Sequence, residues 1–410
     1  MRKKNVSPLN SGIPETAIAL AAGEFAMGHL PEMISTLRGL AEMETPTSDK
    51  AALDRCGEHL AGHFERLGGR VKFHRQRHAG NHLEVNFSAV RSAKRSRPGG
   101  AGLDSLPILL LGHFDTVWDL GTLAKMPFRL EAGRAWGPGV LDMKSGITMI
   151  MFALAALHAF QGGPRRPVTI LLTTDEEVGS LTSRSLVESV ARRSRAVLVC
   201  EPSQGLEGAV KTWRKGVGDY TIRVTGKAAH SGVDFEKGAS AIVELARQIT
   251  LVASFTDLQR GVTVNPGVIH GGTRTNVIAA EASAAVDVRI KKTGDAAYLE
   301  KKFRALRAFD RGCRLEISGG VNRPPMERSE KVLRLYREAR RVAATMGFAL
   351  KEMGTGGGSD GNFTAALGIP TLDGLGGVGE GAHALNESIV LAELPRRTAL
   401  LASMIDSPRI

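Results

Sequence analysis

Cysteine is scarce in this chain: three in 410 residues, at Cys56, Cys200 and Cys313. Thiols so few and so scattered exclude a disulfide framework and a cysteine-rich zinc site, and they fit a reducing compartment. Aromatic residues are also sparse, at 5%. None is interleaved with the basic clusters at 91–97, 165–166 and 192–195, so the net charge of +12 lacks the stacking signature of a nucleic-acid binder. The charge reads instead as solvated loops and helix faces with attraction for anionic substrates. No stretch reads as approaching the apolar length of a transmembrane helix. The short run 17–22, flanked by Glu15 and Glu24 behind Arg2-Lys3-Lys4, reads as a helix rather than a signal peptide. A cytoplasmic protein with neither membrane nor nucleic-acid partner is the expectation, with the periplasm as the alternative location.

Glycine, by contrast, is plentiful, with 48 residues, and 42% hydrophobic against 23% charged residues is ordinary for a globular chain. At this length two domains are expected. Apolar, strand-like runs at 71–73, 83–87, 108–111, 168–172 and 196–200 alternate with helical text at 31–67, 145–160 and 183–193. The first helical stretch breaks at Thr45-Pro46-Thr47-Ser48, and 92–103 reads as an exposed loop. This alternation predicts an α/β fold with a mostly parallel sheet covered by helices on both faces. After Trp213 the order becomes β-α-β-β-α-β, a ferredoxin-like α+β unit. The expected organisation is a first domain formed by 1–211 and 326–410, interrupted by a smaller one at 212–325.

The chemistry gathers where the strands end. Ligands of parallel sheets collect outside the carboxyl ends of the strands. Three successive strand ends deliver His113 and Asp115, Glu176 and Glu177, and Glu201; Asp142 follows in Gly139-Val140-Leu141-Asp142-Met143-Lys144-Ser145-Gly146. So many carboxylates cannot stay charged and adjacent without counter-ions. A pair of divalent cations roughly 3.5–4 Å apart, sharing one carboxylate, resolves the conflict. The stretch Gly379-Glu380-Gly381-Ala382-His383 offers a second imidazole. Of the neighbours Glu176 and Glu177, one can bind metal while the other serves as general base.

At these residues the chain resembles the di-zinc metallopeptidases, the family of carboxypeptidase G, the aminoacylases, acetylornithine deacetylase and succinyl-diaminopimelate desuccinylase. The resemblance rests on Gly112-His113-Phe114-Asp115-Thr116-Val117, the Asp142 stretch, Thr174-Asp175-Glu176-Glu177-Val178-Gly179-Ser180 and Glu201-Pro202. It runs from about residue 30 to 405 and is nearest to the glutamate-releasing carboxypeptidase G subgroup. It implies two Zn2+ per subunit, with Co2+ or Mn2+ as alternatives. Asp142 would bridge them, His113 and Glu201 would complete one site, and Glu177 and His383 the other. Glu176 would be the general base, and Asp115 would hold the ring of His113. In the inserted lid and dimerisation domain, His230 of Gly226-Lys227-Ala228-Ala229-His230-Ser231-Gly232 would bind the developing oxyanion in a partner subunit's site, making the protein a homodimer. Asn276, Arg289 and Arg323 would grip the substrate's carboxylate, and Gly358 and Ser359 of Thr355-Gly356-Gly357-Gly358-Ser359-Asp360 would line its seat. Ser145 stands where many members have Gly, and Thr212-Trp213-Arg214-Lys215-Gly216 is more like the aminoacylase-type members.

The implied activity is hydrolysis of an amide beside a free carboxylate, releasing glutamate from peptidyl or N-acyl small molecules. The rival within the family is an aminoacylase or N-acetyl amino-acid deacetylase; from another class, a catalytically silent dimeric binding protein. Two patterns are discarded. His59-Leu60-Ala61-Gly62-His63 lacks the glutamate of a zincin helix, and Gly374-Leu375-Gly376-Gly377-Val378-Gly379 has no βαβ unit behind it.

Overall fold

The computed structural model describes residues 15–90 and 106–410; the Arg2-Lys3-Lys4 terminus and the loop expected at 92–103 lie outside the described residues. The chain divides into two compact units. One comprises Met1–Thr212, Arg328–Gly354 and Ser359–Ile410, the other Trp213–Glu327 with Thr355–Gly358.

The larger unit is built on a six-stranded sheet in the order Arg70–His74, His82–Phe87, Val168–Thr173, Ile108–His113, Ala196–Val199, Thr371–Leu372. The last four run parallel, and the first two add an antiparallel hairpin at one edge. Ile108–His113 and Val168–Thr173 are buried at every position. Such strands need cover on both faces, and strand alternation supplies two cores. Ile108 and Leu110 point into the main core, while Leu109 and Leu111 join a second cluster with Val187, Val190 and Phe363. Helices Glu15–Gly28, Ser145–Gln161 and Glu393–Asp406 cover the first face, and Arg184–Arg192 and Gly361–Ala366 the second.

One expectation is corrected here. Val140–Gln161 is long and apolar enough, by length and composition, to cross a membrane. Its helical part, Ser145–Gln161, is apolar because it lies in the core: 83% of the most apolar window is buried inside the protein.

A small antiparallel sheet escapes the sequence reading. It orders Gly379–Glu380, Ser388–Val390, Arg134–Trp136 and Arg129–Glu131, with Ser388 paired to Trp136. Its strands are two or three residues long, too short to display a period. Its effect is positional: it lays the loop bearing His383 alongside the chain leading to Asp142.

The smaller unit has the order β-α-β-β-α-β: Gly216–Thr225, Ala241–Ala253, Thr263–Gly271, Glu281–Ile290, Gly294–Arg304 and Arg314–Arg323. Its sheet is antiparallel throughout, in the order Thr263–Gly271, Glu281–Ile290, Gly216–Thr225, Arg314–Arg323. Burial alternates along Gly216–Thr225, so one face meets the two helices in a core containing Tyr220, Ile222, Val224, Leu299 and Phe303. This is the ferredoxin-like arrangement.

Candidate metal centre

His113 is the last residue of its strand and is buried. Its Nδ1 lies 3.0 Å from the main-chain oxygen of Asp115 and 3.3 Å from Asp115 Oδ1. That fixes the ring so that Nε2 faces Asp142 Oδ1 at 3.2 Å and Glu201 Oε1 at 3.3 Å. The other carboxylate oxygen of Asp142, Oδ2, faces His383 Nε2 at 3.4 Å, and His383 Nε2 lies 3.2 Å from Glu177 Oε2. Asp142 thus belongs to two ligand triads, His113–Asp142–Glu201 and Asp142–Glu177–His383, each with donor atoms within 4.8 Å of one another.

Local structure explains each placement. Cys200 extends the ladder from Ala196–Val199 by donating its N–H to Leu111 O at 3.0 Å, so Glu201 emerges beside His113. The carbonyl oxygen of Cys200 is wedged between Gly146 and Gly376; a Cβ on either glycine would overlap it. Glu176 and Glu177 begin a single turn after Val168–Thr173. Asp115, fully buried, accepts the N–H of Glu176 at 3.3 Å, that of Glu177 at 3.2 Å, and the hydroxyl of Thr47 at 2.8 Å. One carboxylate therefore steadies both the His113 ring and the acidic turn. His383 occupies the hairpin loop between Gly379–Glu380 and Ser388–Val390, with a left-handed backbone at φ 61°.

The triads fit divalent cations. Donors about 2.0–2.1 Å from a tetrahedral zinc stand roughly 3.3–3.4 Å apart, and the imidazole–carboxylate distances here run from 3.2 to 3.4 Å. Glu177 Oε1 is buried without a hydrogen-bond partner, an acceptor left for something else. Electrostatics agree. Burial would lift the Asp142 carboxyl, but the two imidazoles outweigh it and hold it far below its usual range. Burial pushes Glu177 up, against the pull of His383. Burial disfavours a charged His113, yet Asp115, Asp142 and Glu201 together raise it; Asp142 and Glu177 lift His383 to about 10. The pocket demands positive charge between its carboxylates, and with neutral imidazoles cations would supply it.

The remaining expected residues fall in separate places. Glu176 is half-buried beside Glu177. Ser359, in the larger unit, donates its hydroxyl to Asp373 at 2.6 Å and accepts the N–H of Gly361. In the smaller unit, Arg289 and Arg323 pair with Val217 from opposite sides, and a Cβ on Gly358 would press on Val217 and Arg323. Arg289 Nε and Nη2 reach both oxygens of Asp287, on its own strand. His230 bridges to Val277 and accepts the N–H of Gly232 on Nδ1, and Asn276 O accepts from Ser231; both lie exposed before Glu281. From there to Arg289 the strand runs eight residues, roughly 27 Å. Within the unit, then, His230 and Asn276 come together, Arg289, Arg323 and Gly358 come together, and the two groups stay apart.

Sequence reasoning missed Thr47 and Glu387. Glu387, fully buried, accepts main-chain N–H groups from Gly139, Leu141 and Asp142 and the indole N–H of Trp118. Burial raises its carboxyl, against those donors. An acceptor of main-chain hydrogens leaves no local pattern to find.

The profile of peptidase family M20/M25/M40 matches residues 109–407. Carboxypeptidase G2 of a Pseudomonas species is 31% identical over 387 residues, covering 92% of this chain and 89% of that protein. Acetylornithine deacetylase of Salmonella arizonae is 30% identical over 280 residues, covering 63% and 68%. Among solved structures, aminopeptidase PepT of Bacillus cereus superposes with a TM-score of 0.74 at 21% identity, over 92% and 98% of the two chains. YXEP of Bacillus subtilis, described as a dinuclear metal binding peptidase, superposes at 0.66 and 15%, again over 92% and 98%. On these grounds the chain belongs to peptidase family M20/M25/M40 and is a hydrolase of amide bonds.

Proposed function

We propose that the protein is a di-zinc hydrolase of amides flanked by a free carboxylate, with peptidyl or N-acyl glutamate as its substrate. The observation that carries this is Asp142, whose two oxygens face two separate imidazole–carboxylate pairs. His113, Asp142 and Glu201 would hold one cation, and Asp142, Glu177 and His383 the other. When bound, the pair supplies Lewis-acid polarisation of the scissile carbonyl and a lowered pKa for the attacking water.

The chain's own residues do the rest. Glu176 takes the proton from the attacking water and returns it to the departing amide nitrogen. Asp115 keeps base and ligand in register, because the same carboxylate receives both main-chain N–H groups of the turn. Arg289 and Arg323, flanking Val217, grip the substrate's carboxylate bidentately, Arg289 exchanging Asp287 for it. His230 and Asn276, roughly 27 Å from Arg289 along the strand, cannot reach the same substrate from one chain. They serve the partner's site in a homodimer. Exposed Val268 and Ile269 on the edge strand Thr263–Gly271 support pairing between copies.

A second reading, N-acetyl amino-acid deacetylation, is favoured by the identity to acetylornithine deacetylases. One experiment separates them: turnover of a panel of N-acetyl amino acids and peptidyl and N-acyl glutamates, with metal content measured on the same preparation. Faster turnover of the glutamate conjugates is expected. Metal-loaded protein inert toward the whole panel defeats the hydrolase reading, and preference for acetyl substrates selects the second. Glu176→Gln should keep its metal and lose ~10²–10⁴-fold in kcat; wild-type turnover would remove Glu176 as the base.

A further inference from the structure

The shared ligand Asp142 does not sit on a regular element. Its φ of −113° and ψ of 96° are non-helical. In the stretch before the helix Ser145–Gln161, Val140 N donates to Gly137 O at 3.4 Å and Lys144 N to Gly139 O at 3.0 Å, while other N–H groups turn to side-chain acceptors. Such groups need acceptors when buried. Three of them converge on one side chain. Glu387 Oε1 accepts from Leu141 N at 2.8 Å and Asp142 N at 3.0 Å, and Oε2 accepts from Gly139 N at 2.9 Å. The fourth donor is Trp118 Nε1, 2.9 Å from Oε2. The small sheet sets up this meeting, since Ser388 pairs with Trp136 and Gly137 N donates to Glu387 O at 3.3 Å.

We propose that Glu387 is the positioning residue that holds Asp142 in its bridging attitude, and that Trp118, bonded to the same carboxylate, reports on that attitude. Glu387 touches neither triad's imidazoles in any recorded contact; it acts through the main chain of Asp142. The peptide hydrogen it accepts belongs to the ligand itself, so any turn of the Asp142 backbone must break or bend a bond to Glu387. A carboxylate suits four converging donors because it is an acceptor only. An amide in its place would set its own N–H groups against main-chain donors. The half-buried indole of Trp118 is tied to the oxygen that also holds Gly139, so a shift of the loop on metal loading alters the indole's hydrogen bond.

The inference rests on the two-metal reading, and one experiment distinguishes their failures. Metal-stripped wild type is titrated with Zn2+ in competition with a chromophoric chelator while tryptophan fluorescence is followed. The titration is repeated on Glu387→Gln, Glu387→Asp and Trp118→Phe. Wild type should bind, with a fluorescence change that disappears in Trp118→Phe and leaves Trp136 and Trp213 silent. Glu387→Gln should lose ~10–100-fold in zinc affinity, the scale for removing a partner of a metal ligand, while keeping its circular dichroism. Glu387→Asp, which retains the charge, should recover part of that loss, a rescue that mere damage to packing would not produce. Trp118→Phe removes one donor of four and should cost roughly 2–5-fold, which keeps the test alive if the Glu387 variants fail to fold. Wild type that binds no zinc defeats the metal reading and this inference with it. Wild type that binds, with variants of unchanged affinity, overturns the positioning role alone, and a fluorescence change surviving in Trp118→Phe overturns the reporter.

Discussion

The two triads that share Asp142 are chemically alike and differently housed. In one, the imidazole of His113 is 1% exposed and the carboxylate of Glu201 8%. In the other, His383 is 50% exposed beside a Glu177 side chain at 6%. The buried triad stands on strand ends, where the ladder continues to Cys200 and the ring is held by Asp115. The exposed one hangs on a hairpin loop whose ligand has a left-handed backbone. The larger unit therefore offers one rigid seat and one open to solvent, joined by a single carboxylate. An open seat exchanges its ligand more readily and leaves room for substrate.

The largest effect should come from removing what the triads share. Asp142→Ala is expected to lower metal occupancy at both seats together and to reduce turnover roughly a thousandfold, the scale of losing a preorganised electrostatic partner. Metal analysis and turnover on one preparation measure it, and loss at one seat only would make the two independent. Next is the asymmetry itself. Brief chelation of the zinc-loaded protein should remove the His383 cation before the His113 cation, and His383→Ala should behave like the briefly chelated protein. His113→Asn should lose the cation that resists chelation and also stability, since it removes the ring that Asp115 and Glu201 both face. Equal release rates from both seats would dissolve the comparison.

The smallest expected effect lies away from both triads. Burial lifts the Glu338 carboxyl, but hydrogen bonds from Arg341 and Ser407 outweigh it and hold it below its ordinary 4.5. A depressed carboxyl contributes stability that is present above its unfolded value and lost as pH falls through the folded one. Glu338→Gln should thus cost about 1–2 kcal/mol near neutral pH, shrinking in acid, and leave the release order of the cations unchanged. A thermal-melt series across pH reads this out; a cost independent of pH would show that packing, not charge, sets it.

Much of this was legible beforehand, for reasons visible in particular residues. Ile108, Leu109, Leu110 and Leu111 announce a strand covered on both faces, because no exposed strand can carry four such residues in a row. His113 and Asp115, two apart at a strand's end, announce a ring and its support. The short strands Arg134–Trp136 and Ser388–Val390 were not legible, since three residues show no period. Nor was the apolar stretch Val140–Gln161 separable by composition from a membrane span until its burial was known. Thr47 and Glu387 stayed hidden because each meets its partner from far along the chain, Thr47 by a lone hydroxyl on Asp115 and Glu387 through main-chain N–H groups that every chain possesses. The family resemblance implies a carboxylate grip at Arg289, but in the fold Asp287, on the same strand, already occupies it.

The wedge at Cys200 has a consequence for how sequences of this fold can drift. The helix bearing Gly146 and the loop bearing Gly376 both close on one carbonyl oxygen. Neither position tolerates even a methyl group without pushing the strand end, and with it Glu201, out of line. In a saturation library selected for turnover, these two glycines should form paired dead spots: no single substitution survives at either, and a change at one is not rescued by a change at the other. Selection would thereby hold the backbone of the buried seat as tightly as any of its donor side chains.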